Sequence, residues 1–196
     1  QRTEERGRIS AIPEEGEKGP EVLHLPVRVD AGRALRIAGI EGEPTLRFIP
    51  HWRYRVVSDG EKPFRDRVIS FKSEERGAVN AINGMRIEMP LDTAEMSAIP
   101  ADAELVGPRS RKEDVEESII NALTERLTQR IRIKTEKGDA IFYEDKAFKP
   151  ERRDIRIDTE MVYVPVWQIR GKKIVEVNGF NGEILSLPMD EGVEVL

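Results

Sequence analysis

Apolar and polar residues alternate with a period of two along much of this chain, which is the signature of strands buried on one side. From 46 to 57, Leu46, Phe48, Pro50, Trp52, Tyr54 and Val56 point one way, while Arg47, Ile49, His51, Arg53 and Arg55 point the other. The pattern predicts a strand with one aromatic and one basic face. The same design recurs at 161–170, with Met161, Tyr163, Pro165, Trp167 and Ile169 on one face. A strand over 22–29 holds Pro26, which restricts it to an edge or a bulge. Residues 58–63 read as a turn. Two short strands follow at 67–72 and 77–82, joined by a charged loop. Arg130 to Thr135 alternates basic and aliphatic residues, turns at Glu136-Lys137-Gly138 and returns over 140–143. A charged loop, a short strand at 155–157 and a strand over 173–180 complete the second half.

Helical periodicity is rarer. Ser110 followed by Glu113 has the form of a capping box. Val115, Ile119, Ala122, Leu123 and Leu127 then share one face, predicting the main helix at about 111–129. Asp30 and Gly39 bracket a shorter helix ending at Ala38.

Two stretches resemble each other. Residues 79–92 and 177–190 share six identical positions, and most others exchange one apolar residue for another. Asn83-Gly84 and Asn181-Gly182 fall at matching places and predict two-residue type I′ hairpins, because both central positions there need positive φ. The only two tryptophans also match, in Pro50-His51-Trp52 and Pro165-Val166-Trp167. Ser10-Ala11-Ile12-Pro13 recurs as Ser97-Ala98-Ile99-Pro100, followed in each case by Glu (Glu17, Glu104) and Gly-Pro (Gly19-Pro20, Gly107-Pro108). Markers in the same order twice argue for a tandem duplication, with loops changed between copies. The expected layout is a disordered start at 1–8, repeat unit 1 at 9–92, a linker at 93–109, repeat unit 2 at 110–190 and a tail at 191–196. The fold class is α+β: two related, mostly antiparallel β units sharing an aromatic core with one main helix.

Composition narrows the chemistry. The chain has 196 residues, 38% hydrophobic and 35% charged, with a net charge of -5. That balance fits a globular chain and argues against wholesale coating of nucleic acid or an anionic membrane. There is no Cys, which removes thiolate catalysis, disulfides and Cys-based zinc sites. No apolar run reaches the length of a membrane span. Three Gln and five Asn against 69 charged residues hint at a heat-adapted source. The first residue is Gln, so the natural N-terminus is expected upstream. The compartment is open, with the cytoplasm slightly favoured.

The order of the 111–129 helix, long strands and a final hairpin ending Asn181-Gly182-Glu183-Ile184-Leu185 resembles the PepSY type of small α+β domain, over residues 110–187 at most. The Asp that such domains carry ahead of the turn is replaced here by Asn178 or Gly179. The resemblance implies a non-catalytic binding or inhibitory module, often outside the cytoplasm, and transfers no catalytic residue.

Candidate sites are few. His24 and His51 lie in different strands, and a catalytic or metal pair would need them brought together with a carboxylate; His51 reads better as a surface residue among arginines. No nucleophile elbow or phosphate-cradling glycine loop is present. The acidic run Glu14, Glu15 and Glu17 reads as a solvated loop. The aromatic strands read as core before platform. The sharper candidate is cationic: Arg47, Arg53 and Arg55 on one strand, and Arg130, Arg132 and Lys134 on another, would form an anion-binding face if the strands were neighbours. The competing reading is a solvated face balanced by carboxylates. The expectation is therefore a non-enzymatic module for binding another protein, within a longer chain and without cofactor or metal. The alternative is a nucleic-acid or anion-binding accessory domain.

Overall fold

The computed structural model describes residues 16–185. The Ser10–Pro13 motif, the start, the tail and the end of the second repeat stretch lie outside the described residues. In chain order the elements are β1 (Lys18–His24), α1 (Ala31–Ala38), β2 (Glu43–Phe64), β3 (Arg67–Asn80), β4 (Arg86–Ile87), β5 (Glu95–Pro100), β6 (Glu104–Leu105), α2 (Lys112–Leu127), β7 (Gln129–Lys137), β8 (Ala140–Phe148), β9 (Ile155–Arg170) and β10 (Ile174–Asn178). The fold is α+β. One eight-stranded sheet runs β4-β3-β2-β9-β1-β5, with β10 on β9 and β6 on β2, while β7 and β8 form a separate two-stranded sheet.

The antiparallel β2–β9 ribbon is the spine. Paired residues share a side of the sheet, so Leu46, Phe48, Trp52 and Tyr54 stand beside Trp167, Pro165, Met161 and Thr159. This aromatic side is covered three ways. Val115, Ile119, Ile120 and Leu123 of α2 lie over Trp52, Tyr54, Val56 and Ile155. Ala34 of α1, with Leu35 and Ile37 beside it, packs with Ile169, Val177 and Trp167. Between the helices, Ile99 and Val22 of the β5–β1 pair close over Leu46, Phe48 and Tyr163. The opposite side of the ribbon is buried as well, where Ile49, Val162, Val164 and Val166 meet Leu25, Ile82, Leu91 and Phe180. The buried middle, at Ile49 and His51, interrupts the basic face expected there: Arg47 is buried, and only Arg53 and Arg55, farther along β2, reach solvent.

Burial on both sides also explains how the strands run on. Residues 58–63 continue β2, and the turn comes at Arg65, whose φ is 56°. The expected 73–76 loop is the middle of an unbroken β3, and 155–170 is one strand. The segment read as a linker contributes β5 and β6 to the sheet. Strand β1 begins earlier and stops at His24, leaving 25–29 to lead into α1. Gly19-Pro20 lies within β1 whereas Gly107-Pro108 follows β6, so those two markers occupy different places.

Pro50 and Pro165 sit in the two central strands, not at an edge or a bulge. In an antiparallel strand a residue's N and O point to the same neighbour. The Pro50 carbonyl accepts from Ala81 N at 2.9 Å and the Pro165 carbonyl from Gly179 N at 2.8 Å. Each missing N–H therefore faces the end of an outer strand, and the β2–β9 ladder loses nothing.

The Asn-Gly hairpins differ from the expected type. Each loop has four residues, 81–84 and 179–182, closed by Gly84 N to Asn80 O at 3.0 Å and Gly182 N to Asn178 O at 2.9 Å. Only the glycines have positive φ, 74° and 79°. The first asparagine of each motif does the capping. Asn80 Oδ1 accepts from Ile82 N at 2.7 Å and Asn83 N at 3.2 Å; Asn178 Oδ1 accepts from Phe180 N at 2.8 Å and Asn181 N at 3.1 Å. Asn-Gly placed the turns, but a buried Asx cap set their geometry.

Helix α1 has the predicted caps: Asp30 Oδ1 accepts from Arg33 N at 2.8 Å, and Gly39 has φ 66°. Helix α2 lacks the capping box. Ser110 is drawn back to the strand end, where its N–H donates to Ala81 O at 3.0 Å. Its hydroxyl donates to Ala81 O at 3.1 Å and accepts from Trp52 Nε1 at 3.2 Å. Arg111 takes the N-cap position instead.

Candidate functional site

Strands β2, β3 and β9, together with residues 87–92, border an open cleft of about 1020 Å³. Its charged lining balances: Arg53, Arg55, Arg76 and Lys112 face Glu88, Asp92, Asp158 and Glu160. Arg53 donates to Glu160 at 2.5 Å and to the Leu91 carbonyl at 2.7 Å. Arg55 donates to Glu74 at 2.8 Å. That hydrogen bond holds the Glu74 carboxyl below its usual range and lifts the Arg55 guanidinium above its own. Arg47 is buried and donates to Glu104 at 2.9 Å. The first cationic triad is thus engaged with carboxylates on the body of the protein.

Arg130, Arg132 and Lys134 belong to the other sheet, so the two triads do not share a face. They do share a face of β7. Opposite them, on the same side, stand Ala147, Asp145 and Tyr143. The Arg132 guanidinium sits over the Tyr143 ring, 4.4 Å from its centre, and Lys134 pairs with Glu136 at 3.1 Å. This face is solvated and mixed in sign.

The histidines are apart. His24 faces Tyr163 and His51 faces Val162. Successive β9 residues point to opposite sides of the sheet, so the two rings do as well. His24 Nδ1 donates to Leu25 O at 2.7 Å, leaving Nε2 to accept from Ser97 Oγ at 2.8 Å. His51 is fully buried, not a surface residue. Its Nδ1 donates to Ile49 O at 2.9 Å, and burial lowers its pKa to about 4. Among the described residues no cluster of His, Asp or Glu could hold a metal, and no helix is long and apolar enough to cross a membrane.

The feature that sequence reasoning passed over is the exposed apolar stretch of the β7–β8 hairpin, whose strands and turn the alternation locates. Its root is anchored: Phe148 and Ile131 pack with Ile69, Phe71 and Phe64, and Gln129 Nε2 donates to Ser70 O at 3.0 Å. Beyond the root it is open on both faces. Ile141, Phe142 and Tyr143 are 53, 55 and 57% exposed. A signal was present in the sequence. Three consecutive apolar residues cannot all point to one side of a strand, so a run of this kind in a charged hairpin exposes at least one.

Compared with known proteins, the chain matches no family model, no curated protein and no solved structure.

Proposed function

We propose that this chain is a non-enzymatic interaction module whose binding surface is the β7–β8 arm and whose ligand is another protein. One observation carries the reading: an aromatic and aliphatic tip of three consecutive exposed residues, held out on a firmly rooted hairpin. Isolated two-stranded hairpins are marginal in water, so the stability of this one comes from its root. Exposed aromatic residues on a rigid element are the usual anchors of protein interfaces. The resemblance of residues 110–187 to PepSY-type domains carries the same implication.

The nucleic-acid alternative rests on Arg130, Arg132 and Lys134 lining one exposed strand beside Tyr143. Glu136 and Asp145 on that same face, and the net charge of -5, weigh against it. Selection from a random peptide library, against the native chain and against Phe142→Ser/Tyr143→Ser, tests the reading. Peptides that bind the native arm and not the variant are expected. If none depends on the arm while oligonucleotides bind with a steep salt dependence, the alternative replaces it.

The duplication belongs to the same reading. What supports it is hydrogen bonding repeated atom for atom: the two Asx caps, the Ala81 and Gly179 amides on the proline carbonyls, and the Ala81 and Gly179 carbonyls accepting from Arg109 and Ser110 and from Arg28 and Val29. Those donors precede α2 and α1 respectively, which on this reading makes the short α1 the counterpart of α2.

A further inference from the structure

A two-stranded sheet leaves an outer edge on each strand, and among the described residues no strand pairs with either edge of β7–β8. Such edges are templates for another chain, and proteins blunt them with proline, bulges or charge. Neither β7 nor β8 contains proline, and their register runs without a shift from Gln129↔Phe148 to Lys137↔Ala140. Charge is what distinguishes the edges. Along β8, Glu144, Asp145 and Lys146 follow one another with both signs. Along β7 one face carries Arg130, Arg132 and Lys134, and the other carries Ile131 and Ile133, both half-buried. Phe142 of β8 lies on the aliphatic face, opposite Thr135 and one step from Ile133.

Resting on the reading of the arm as a protein-binding surface, we propose that the partner adds a β-strand to the outer edge of β7, and that this strand alternates carboxylate with aliphatic side chains. The geometry of strand addition imposes that pattern. Main-chain hydrogen bonds hold an added strand, and cross-strand neighbours about 5 Å apart set its sequence. Along 130–134, short of Glu136 near the turn, every second side chain of the newcomer lands beside a cation of β7, and those between land beside Ile131 and Ile133. Like charges directly opposite repel, so a basic strand is rejected and an acidic one selected. The Phe142 ring extends the aliphatic face toward the tip, where an added strand would continue.

The test uses the full chain and a synthetic peptide alternating Glu with Val, labelled for fluorescence anisotropy. Controls are a peptide of the same composition with its Glu residues in one block, and the alternating peptide with Lys for Glu. The alternating acidic peptide is expected to bind, to weaken as salt rises, and to slow amide exchange in β7 more than in β8. Arg132→Glu and, separately, Lys134→Glu are expected to weaken it about tenfold and to admit the Lys peptide. Both positions are exposed, and circular dichroism checks that each variant keeps its fold. The inference is overturned if the block peptide binds equally well, if neither charge reversal matters, or if β8 is the protected strand. It is also overturned if no peptide binds, in which case the cations of β7 serve to guard an open edge. Arm-dependent library peptides of another pattern would retain the binding module and remove only the strand rule; no arm-dependent peptide would remove both.

Discussion

Ile49 of β2 stands directly opposite Val164 of β9, and the ladder reads alike in both directions from that pair. Pro50 faces Tyr163 on one side and Phe48 faces Pro165 on the other; Trp52 faces Met161, and Leu46 faces Trp167. The two indoles are therefore equal steps from the centre and on the same side of the sheet. Each indole N–H is bound to the segment that enters its own helix, Trp52 to Ser110 at 3.2 Å and Trp167 to Val29 O at 2.7 Å. The ribbon centre fixes where both helices sit, and the long excursion between α2 and β9 is what becomes the arm.

The Asx caps are expected to contribute most of any polar groups in the loops. Asn80→Ala and Asn178→Ala each leave two backbone N–H groups without their acceptor in a buried loop. A cost of about 2–3 kcal/mol each is expected in urea unfolding. Asn83→Ala removes the exposed acceptor of Met85 N, and a cost below about 1 kcal/mol is expected.

Gly77 tests close packing across the β2–β3 ladder. A Cβ there would sit 2.6 Å from the Tyr54 hydroxyl oxygen. Gly77→Ala is expected to cost about 1–3 kcal/mol by overpacking. Tyr54→Leu in the same chain should recover part of that loss, visible as non-additivity in a double-mutant cycle.

His51 makes stability pH-dependent in a defined window. Its folded pKa, about 4, lies below the unfolded value of about 6.5, because burial disfavours the charged ring. The unfolded chain therefore takes up the proton first as pH falls. Stability is fully present above pH 6.5 and is lost progressively between there and pH 4. The full loss amounts to about 3 kcal/mol. Chemical unfolding from pH 7 to 4 should show that fall in the native chain. It should be smaller by this amount in His51→Leu.

Two arginines of the same strand should behave differently. Arg47 is buried and its partner Glu104 holds it against β6, so Arg47→Met is expected to cost about 2 kcal/mol. Arg55 pairs with Glu74 in solvent, where ion pairs are screened, and Arg55→Met should leave the unfolding midpoint within error.

The arm should divide into a structural root and a free tip. Phe148→Ala removes a buried ring packed on Phe71 and is expected to cost about 3 kcal/mol. Phe142→Ala, with its ring in solvent, should change stability by less than about 0.5 kcal/mol while abolishing ligand binding. A thermal melt paired with a binding measurement separates the two effects.

Much of the local architecture was legible. Asp30 and Gly39 marked the ends of α1 correctly because a cap is a contact within four residues. The aromatic alternation of 46–57 and 161–170 found the two strands that form the spine. The Asn-Gly pairs located both loops. The misreadings came where a distant partner competed with a local one. Ser110 fitted a capping box until Ala81 and Trp52 claimed it. Ser58 to Pro63 looked like a turn until β3 paired with it residue by residue. For the cations of β2 the sequence offered both a free face and one balanced by carboxylates, and could not name Glu104, Glu160 and Glu74, remote in the chain, as their partners.

By itself, then, the sequence determined the α+β class, the identity of the core-forming strands and the places where the chain must turn, since periodicity and positive-φ glycines act over a few residues. Tertiary structure alone decided that β2 and β9 pair around Ile49 and Val164, that both sides of this ribbon are buried, and that β7–β8 stands apart. These depend on which strand meets which across more than a hundred residues, and strand alternation is the same whichever partner is chosen.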